Sequence, residues 1–363
     1  MDKKGRNVSK MKEYWSTRIR DLVPYTPGEQ PKIQNLIKLN TNENPYPPSP
    51  RVLEALRQNL DERLRLYPDP ECSALRSALA RRYGLKEEQV FVGNGSDEVL
   101  AFAFQAFFGV GDTVAFPDIT YSFYPVYAKM FGIHCDIVPL NQDFSIPVDA
   151  LLGRHHGMVI ANPNAPTGME LPQSELRRLL EGNRDVVVIV DEAYVDFGGS
   201  SALPLLEEYP NLLVVQTMSK SRSLAGMRLG FAFGSENLIQ ALNCVKNSIN
   251  SYTLDRLAIA AGTAAVEDEA YFSACCQKVV ATRERVTKAL RDMGFQVLDS
   301  SSNFLFASHP DHPAQTLFGA LRKEGILVRY FNQPRIDNFL RISIGTEEEM
   351  DRFLQVMRAL IGQ

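Results

Sequence analysis

Residues 186–194 read VVVIVDEAY, a short run of β-branched residues followed directly by two acidic side chains. Similar apolar runs lie on either side of it, and turn residues or charged helical stretches separate them. Because a strand that is apolar at every position is buried on both faces, these runs predict a mostly parallel sheet with helices on each side. The predicted strands are 90–92, 113–116, 158–161, 186–190, 212–215 and 229–233.

The pattern changes after about residue 248. Long helical stretches cover 252–293, and a last helix over 346–361 begins with three glutamates, which the helix dipole favours in the first turn. Between them lie candidate strands at 296–298, 303–307, 326–330 and 339–344. The sequence therefore predicts an α/β chain with an N-terminal arm and crossing loop over 1–45, a large domain over 46–248 and a smaller α+β domain over 249–363.

The composition excludes several classes of protein. Of 363 residues, 45% are apolar and 23% are charged, which argues against a disordered, collagen-like or disulfide-rich chain. A net charge of -4 gives no general reason to bind nucleic acid or an anionic membrane, and no apolar run approaches the roughly 20 residues that span a bilayer. The five cysteines lack paired spacing, so we expect reduced thiols in a cytoplasmic protein.

The histidines show no ligand spacing. His155 and His156 lie in a predicted loop over 153–157, and His309 and His312 flank a Pro-Asp pair in another. No metal site is predicted from them.

Residues 93–98, GNGSDE, follow a predicted strand and open a helix. Backbone N–H groups at such a helix start can bind phosphate, although a plain structural turn has the same pattern. The dinucleotide fingerprint G-x-G-x-x-G fails here because Glu98 occupies the third glycine position, and a Walker-type phosphate loop is absent from the sequence.

Charged residues follow two neighbouring predicted strands. Asp191 comes at the carboxyl end of its strand, where open α/β sheets bind ligands, although a helix cap has the same pattern. Lys220 follows the run 212–215, and it is either a surface charge or a cleft amine able to form a Schiff base. Ser219 and Arg228 nearby could bind a phosphate monoester.

These motifs together resemble the fold-type I aminotransferases that depend on pyridoxal 5′-phosphate (PLP). The set comprises NPNAPTG at 162–168, Asp191 with Tyr194, Ser219-Lys220 and Arg228, in that order over nearly the whole chain. Within that family the chain is most similar to the histidinol-phosphate aminotransferases. The closest pieces are LNTNENP at 39–45, LYP at 66–68, VR at 328–329 and FLRISIGT at 339–346.

The resemblance implies a PLP site. Lys220 would bind the cofactor covalently and move the proton at the substrate Cα. Asp191 would face the pyridine nitrogen, Tyr194 would hydrogen-bond the phenolic oxygen, and Tyr121 would stack on the ring. Many relatives have Asn before Pro-Thr-Gly where this chain has Ala165, so the missing contact to the phenolic oxygen would come from Asn164, with Asn162 or a water as alternatives.

The resemblance also implies how the cofactor phosphate is held and that the protein is a homodimer. The amides of Ser96 and Asp97, the Ser219 hydroxyl and the Arg228 guanidinium would bind the phosphate. Tyr67 would reach it from a second subunit.

For the substrate, the resemblance assigns Arg341 to the α-carboxylate of glutamate or to the phosphate of histidinol phosphate. Arg329 would add a second cation, which suits a near-dianionic phosphate. Tyr25 would contact this phosphate or simply pack in the arm, and Asn42 would line the pocket.

The implied reaction is ping-pong transfer of an amino group between L-histidinol phosphate and 2-oxoglutarate, a step of histidine biosynthesis. Within the same fold, an aromatic amino acid aminotransferase and a PLP-dependent decarboxylase or lyase are the alternatives. A PLP-binding regulator would need a DNA-binding domain, which the sequence pattern does not predict, and a dehydrogenase would require the glycine pair at 93–95 to be the true cofactor signal.

Overall fold

The computed structural model describes residues 14–26, 28–31, 36–154 and 156–362, so His155 lies outside the described residues. The described helices are α1 (Thr17–Arg20), α2 (Pro50–Gln58), α3 (Ser73–Tyr83), α4 (Gly95–Phe107), α5 (Tyr124–Phe131), α6 (Gln173–Glu181), α7 (Glu236–Ile249), α8 (Arg256–Glu267), α9 (Glu269–Asp292), α10 (Ala314–Lys323) and α11 (Glu347–Ile361). The strands are β1 (Ile37–Lys38), β2 (Val90–Asn94), β3 (Thr113–Pro117), β4 (His134–Val138), β5 (Gly157–Ala161), β6 (Val187–Asp191), β7 (Leu212–Thr217), β8 (Leu229–Gly234), β9 (Gln296–Val297), β10 (Phe304–Ser308), β11 (Ile326–Leu327), β12 (Arg329–Tyr330) and β13 (Leu340–Ser343).

A seven-stranded sheet in the order β2-β8-β7-β6-β5-β3-β4 forms the large part of the molecule. Strands β3 to β7 run parallel to one another, whereas β8 pairs antiparallel with both β2 and β7. The predicted mostly parallel sheet is thus confirmed. The sequence analysis missed β4, because this edge strand buries few side chains and has no continuous apolar run.

Helices cover both faces of this sheet. Successive side chains of its central strands point to opposite sides, so each face presents apolar side chains that must be buried. On one face, Val188 and Val190 of β6 pack in a core with residues of α3, α6 and α8. On the other face, Ile189 packs with residues of α4, α5 and α7. The β-branched runs are apolar at every position because each residue meets one of these two cores.

The C-terminal part contains a four-stranded antiparallel sheet in the order β12-β13-β10-β9. Its core includes residues of α9, α10 and α11. The arm joins this part, since β1 pairs parallel with β11. By contrast, α8 shares the core of the large sheet. The predicted boundaries at 45 and 248 stay predictions.

No helix in the described ranges is long and apolar enough to cross a membrane.

Candidate active site

A cavity of about 540 Å³ lies where β5, β6 and β7 end, and their last residues Ala161, Asp191 and Thr217 all line it. Ligands bind in open α/β sheets at this edge. The arm, the crossing loop and the C-terminal part complete the wall. The predicted site residues that line this cavity are Tyr25, Asn42, Ser96, Asp97, Tyr121, Asp191, Tyr194, Ser219, Lys220, Arg228, Arg329 and Arg341.

Lys220 follows the end of β7 and extends into the cavity toward the crossing loop. Its Nζ donates a hydrogen bond to the main-chain oxygen of Thr41 at 3.0 Å, and Asn44 Nδ2 donates to the Lys220 carbonyl at 3.0 Å. Removal from water, helped by the nearby Arg341 guanidinium, lowers the pKa of Lys220 to about 8. An appreciable fraction of the amine is therefore neutral and nucleophilic near neutral pH.

Asp191, the last residue of β6, places a buried carboxylate at the floor of the cavity. Its Oδ2 accepts a hydrogen bond from the Tyr124 hydroxyl at 2.8 Å, and its Oδ1 accepts one from the Ala193 N–H at 3.3 Å. Burial raises the pKa of Asp191 to about 6, so the group is mostly ionised at neutral pH and can pair with a protonated ring nitrogen. The sequence analysis did not identify Tyr124.

Tyr194 and the crossing loop meet at the side of the cavity. Asn42 Nδ2 donates to the Tyr194 hydroxyl at 3.1 Å, while the Asn42 backbone adopts a φ of 57°. Hydrogen bonds with Ser343 and Asn303 hold Asn42 in this left-handed conformation. Burial raises the pKa of Tyr194, so its hydroxyl stays protonated at neutral pH and can donate to a phenolic oxygen.

The start of α4 forms an anion-binding cradle. The N–H groups of Ser96 and Asp97 belong to the first turn, whose donors have no intrahelical partner. A Cβ at Gly230 would lie 2.3 Å from the Ser96 nitrogen, so only glycine lets β8 approach the cradle this closely. Arg228 Nη2 lies 3.1 Å from Asp97 Oδ2, and the Tyr121 hydroxyl donates to Asp97 Oδ1 at 2.7 Å.

Two arginines face the opposite end of the cavity from neighbouring strands. Arg329 of β12 and Arg341 of β13 are direct partners in the antiparallel pair, and both guanidinium groups lie within 5.6 Å of the Phe331 ring centre. Arg341 Nη2 donates to the Asn40 carbonyl at 3.1 Å, but the buried Nε has no hydrogen-bond partner among the described residues. Because an unsatisfied buried donor is costly, this end of the cavity fits a carboxylate or phosphate.

Tyr25 reaches the cavity from the N-terminal arm. Its ring stacks on Phe123 with a centroid separation of 4.4 Å and lies 6.3 Å from Tyr121. Asn40 Nδ2 also donates to the Glu29 carbonyl at 2.9 Å, which ties the arm to the crossing loop. Tyr25 therefore both packs in the arm and lines the cavity, so a contact with the substrate phosphate stays a prediction.

Asn164 is not among the described residues that line the cavity. Asn164 Nδ2 donates to the Ile119 carbonyl at 2.9 Å, and Oδ1 accepts from Thr120 Oγ1 at 2.9 Å. Asn162 is held in the same way by both main-chain groups of Leu171. The two amides serve the loop rather than the cavity, whose wall here consists of Ala165 and neighbouring prolines. The prediction that Asn164 contacts the cofactor is not supported by this geometry.

Tyr67 lies on the surface and does not line the cavity of its own chain, as far as the described residues show. Its side chain is 77% exposed, and its ring stacks on Tyr252 with a centroid separation of 4.6 Å. A role in a second subunit's site therefore stays a prediction.

Comparison with known proteins identifies the family of this chain. The sequence model of aminotransferase class I and II matches residues 34–357. The chain belongs to that family. It is 54% identical to the histidinol-phosphate aminotransferase of Clostridium acetobutylicum over 97% of this chain and 100% of that one. It is also 54% identical to the enzyme of the same name from Acinetobacter baumannii strain SDF, over 95% of this chain and 96% of that one.

Solved structures show the same fold. Histidinol-phosphate aminotransferase from Sinorhizobium meliloti, in complex with pyridoxal-5′-phosphate, matches with a TM-score of 0.81 and 26% identity, covering 89% of this chain and 91% of that one. A tetra mutant of aspartate aminotransferase from Thermus thermophilus matches with a TM-score of 0.79 at 22% identity, over 94% and 98% of the two chains, which shows the fold alone. The predicted family, the predicted fold class and the prediction that the chain is an aminotransferase are confirmed.

Proposed function

We propose that this aminotransferase uses PLP to transfer the amino group of L-histidinol phosphate to 2-oxoglutarate. The products are imidazole acetol phosphate and L-glutamate, and the step belongs to histidine biosynthesis. The relatives at 54% identity are named for this substrate and are matched over nearly their whole length. Within the site, the observation that supports this substrate is the pairing of Arg329 with Arg341.

The donor set of the cavity fits PLP. The cradle at the start of α4, together with Ser219 and Arg228, would hold the phosphate, and Ser96, Asp97, Ser219 and Arg228 all line the cavity. Asp191 and Tyr194 would hold the ring nitrogen and the phenolic oxygen. When bound, PLP supplies an electron sink for the substrate carbon that bears the amino group.

Lys220 is the residue that holds the cofactor and moves the substrate proton. A pKa of about 8 lets the amine act as a nucleophile near neutral pH, and later as a base toward the proton on the substrate Cα. The Thr41 carbonyl orients this amine. Asp191 stays ionised and stabilises positive charge on the ring nitrogen, which strengthens the electron sink.

The arginine pair distinguishes the two substrates by charge. A phosphate monoester is nearly dianionic at neutral pH, so both guanidinium groups can bind it. Glutamate and 2-oxoglutarate place one α-carboxylate here, which Arg341 alone can bind through its unpartnered Nε. A neutral aromatic amino acid offers this end of the cavity only its α-carboxylate and leaves Arg329 without an anion.

We expect Arg329→Ala to raise the KM for L-histidinol phosphate about 30-fold, because one charge-assisted hydrogen bond to the phosphate is lost. The KM for glutamate in the reverse reaction should change by less than about threefold. Steady-state kinetics with each substrate would measure both values. Arg352→Ala is the matched control, since Arg352 is exposed and pairs with Glu324 outside the cavity. Equal losses for both substrates would remove the reason for preferring histidinol phosphate.

The proposed function is tested by following the visible absorbance of the PLP-loaded protein. L-histidinol phosphate added without a keto acid should remove the band of the lysine-bound cofactor, and 2-oxoglutarate should restore it. Loss of the band with L-phenylalanine but not with L-histidinol phosphate would favour the aromatic aminotransferase. A protein that never acquires the band would contradict the cofactor assignment.

We also propose that the protein is a homodimer in which Tyr67 reaches the cofactor phosphate of the other subunit. A group of exposed apolar side chains beside the active site supports this: Leu60, Leu64, Leu66, Tyr67 and Tyr252. A second cavity of about 470 Å³ lies next to this group, and Arg228 lines both cavities. Exposed apolar clusters of this kind mark association surfaces. Sedimentation equilibrium should give twice 40.7 kDa, and a monomer would contradict the proposal.

A cytoplasmic location is the last part of the proposal. All five cysteines are free, and Cys135 and Cys244 are exposed, which suits a reducing compartment. Cell fractionation should find the protein with soluble cytoplasmic markers, and recovery outside the cell would contradict this.

A further inference from the structure

Tyr124 is a buried hydrogen-bond partner of Asp191. It is the first residue of α5, it is completely buried, and its hydroxyl donates to Asp191 Oδ2 at 2.8 Å. The described residues that line the cavity do not include it. Tyr124 therefore meets the cavity through two neighbours that line it, Asp191 through the hydrogen bond and Tyr121 through a ring contact.

The surroundings of Asp191 make this hydrogen bond important. The titratable groups facing the carboxylate are the hydroxyls of Tyr124, Tyr127 and Tyr194 and the carboxylate of Asp97, and none of these four is a cation. Burial and the Asp97 charge both favour the neutral acid, whereas the donors from Tyr124 and the Ala193 N–H favour the carboxylate.

We propose that Tyr124 is a positioning residue that holds Asp191 ionised and directed at the cofactor's ring nitrogen. The inference rests on the proposed function, because that nitrogen belongs to PLP. Without the hydroxyl, the buried carboxylate would keep, among the described residues, the donor from the Ala193 N–H at 3.3 Å. The acid would then take up a proton more readily and would pair less well with a protonated ring nitrogen.

The packing around Tyr124 explains how it can hold one orientation. Its ring lies against Phe104, Phe116 and Tyr121, with centroid separations of 6.5, 5.9 and 5.6 Å. Tyr121 is also the residue predicted to stack on the cofactor ring. Phenylalanine at position 124 keeps these ring contacts and removes only the hydroxyl, so the substitution isolates the hydrogen bond.

The hydrogen bond should show itself in the affinity for PLP. We expect Tyr124→Phe to weaken PLP binding about tenfold at pH 7, as expected for a lost hydrogen bond to a charged group. The loss should be larger at pH 6 and smaller at pH 8, because the variant raises the pKa of Asp191 and a higher pH restores the carboxylate. Equilibrium titration of the full-length, cofactor-free protein measures these affinities.

A cofactor analogue with carbon in place of the ring nitrogen shows which atom is involved. Tyr124→Phe should change the affinity for this analogue by less than about twofold, because the analogue has no proton for Asp191 to hold. Equal losses for PLP and for the analogue would indicate a general effect on the pocket and would overturn the inference. If the wild-type protein binds PLP and Tyr124→Phe binds it with the same affinity, the inference is overturned too, while the proposed function stays intact.

Two further variants complete the test. Tyr209→Phe is the matched control, since this buried tyrosine donates to Glu181 Oε1 at 3.3 Å and is not among the described residues that line the cavity. It should keep wild-type affinity for PLP. In an Asp191→Asn background, adding Tyr124→Phe should cause little further loss, because residue 191 then has no carboxylate for the Tyr124 hydroxyl to keep ionised. Additive losses would contradict the inference, and failure of the wild-type protein to bind PLP would refute it together with the proposed function.

Discussion

Lys220→Ala should lower kcat for transamination by at least about 10⁴-fold while the chain keeps its fold. The amine is the group that the proposal assigns to cofactor attachment and to proton transfer at the substrate Cα, so one change removes both roles. Among the described residues, the amine hydrogen-bonds to the Thr41 carbonyl, and alanine leaves the hydrogen bond from Asn44 to the main chain of residue 220 in place.

The measurement compares kcat with the circular dichroism spectrum and the sedimentation of the variant. Lys323→Ala is the control, because Lys323 is exposed in the last turn of α10 and should be replaceable without effect. A variant that is folded and still transaminates at a substantial rate would show that Lys220 is not the reacting amine.

Asp191→Asn should lower kcat by about 10³-fold, since a neutral amide cannot stabilise positive charge on the ring nitrogen. The asparagine side chain is nearly isosteric, and its oxygen can still accept from Tyr124. PLP should still bind through Lys220 and the cradle at the start of α4.

This prediction is checked by measuring kcat at full cofactor occupancy, with occupancy read from the visible absorbance. Asp185→Asn is the control, because Asp185 is exposed in the turn before β6. A rate near that of the wild type at full occupancy would exclude the electron-sink role of Asp191.

Much of the large sheet could be predicted because its strands have a local signature. The six predicted runs correspond to β2, β3, β5, β6, β7 and β8, each with a difference of a few residues at most. Strand β4 could not be recognised, because only one of its five residues is buried and it therefore has no continuous apolar run. The final helix was predicted with the three glutamates of its first turn, which the helix dipole favours, and the structure adds a cap in which Thr346 Oγ1 accepts from the Glu349 N–H at 3.2 Å.

The residues of the candidate site also divide into those that the sequence could predict and those that it could not. Asp191 and Lys220 could be proposed from sequence because each lies at the carboxyl end of a strand or a few residues after it, and parallel strands bring these ends to one edge. A cofactor contact of Asn164 stays a prediction, and the sequence did not indicate that its amide bonds Ile119 and Thr120, more than 40 residues away. No pattern in the neighbouring sequence indicates such a distant hydrogen-bond partner.

The sequence by itself determined the family, six strands of the large sheet and most of the charged residues that meet at the cavity, because these depend on residue type and short-range spacing. Only the tertiary structure decided that Tyr124 donates to a carboxylate 67 residues away and that Arg329 lies directly opposite Arg341. Strand order, register and side-chain packing set these contacts, and they arise from the whole folded chain rather than from neighbours in sequence.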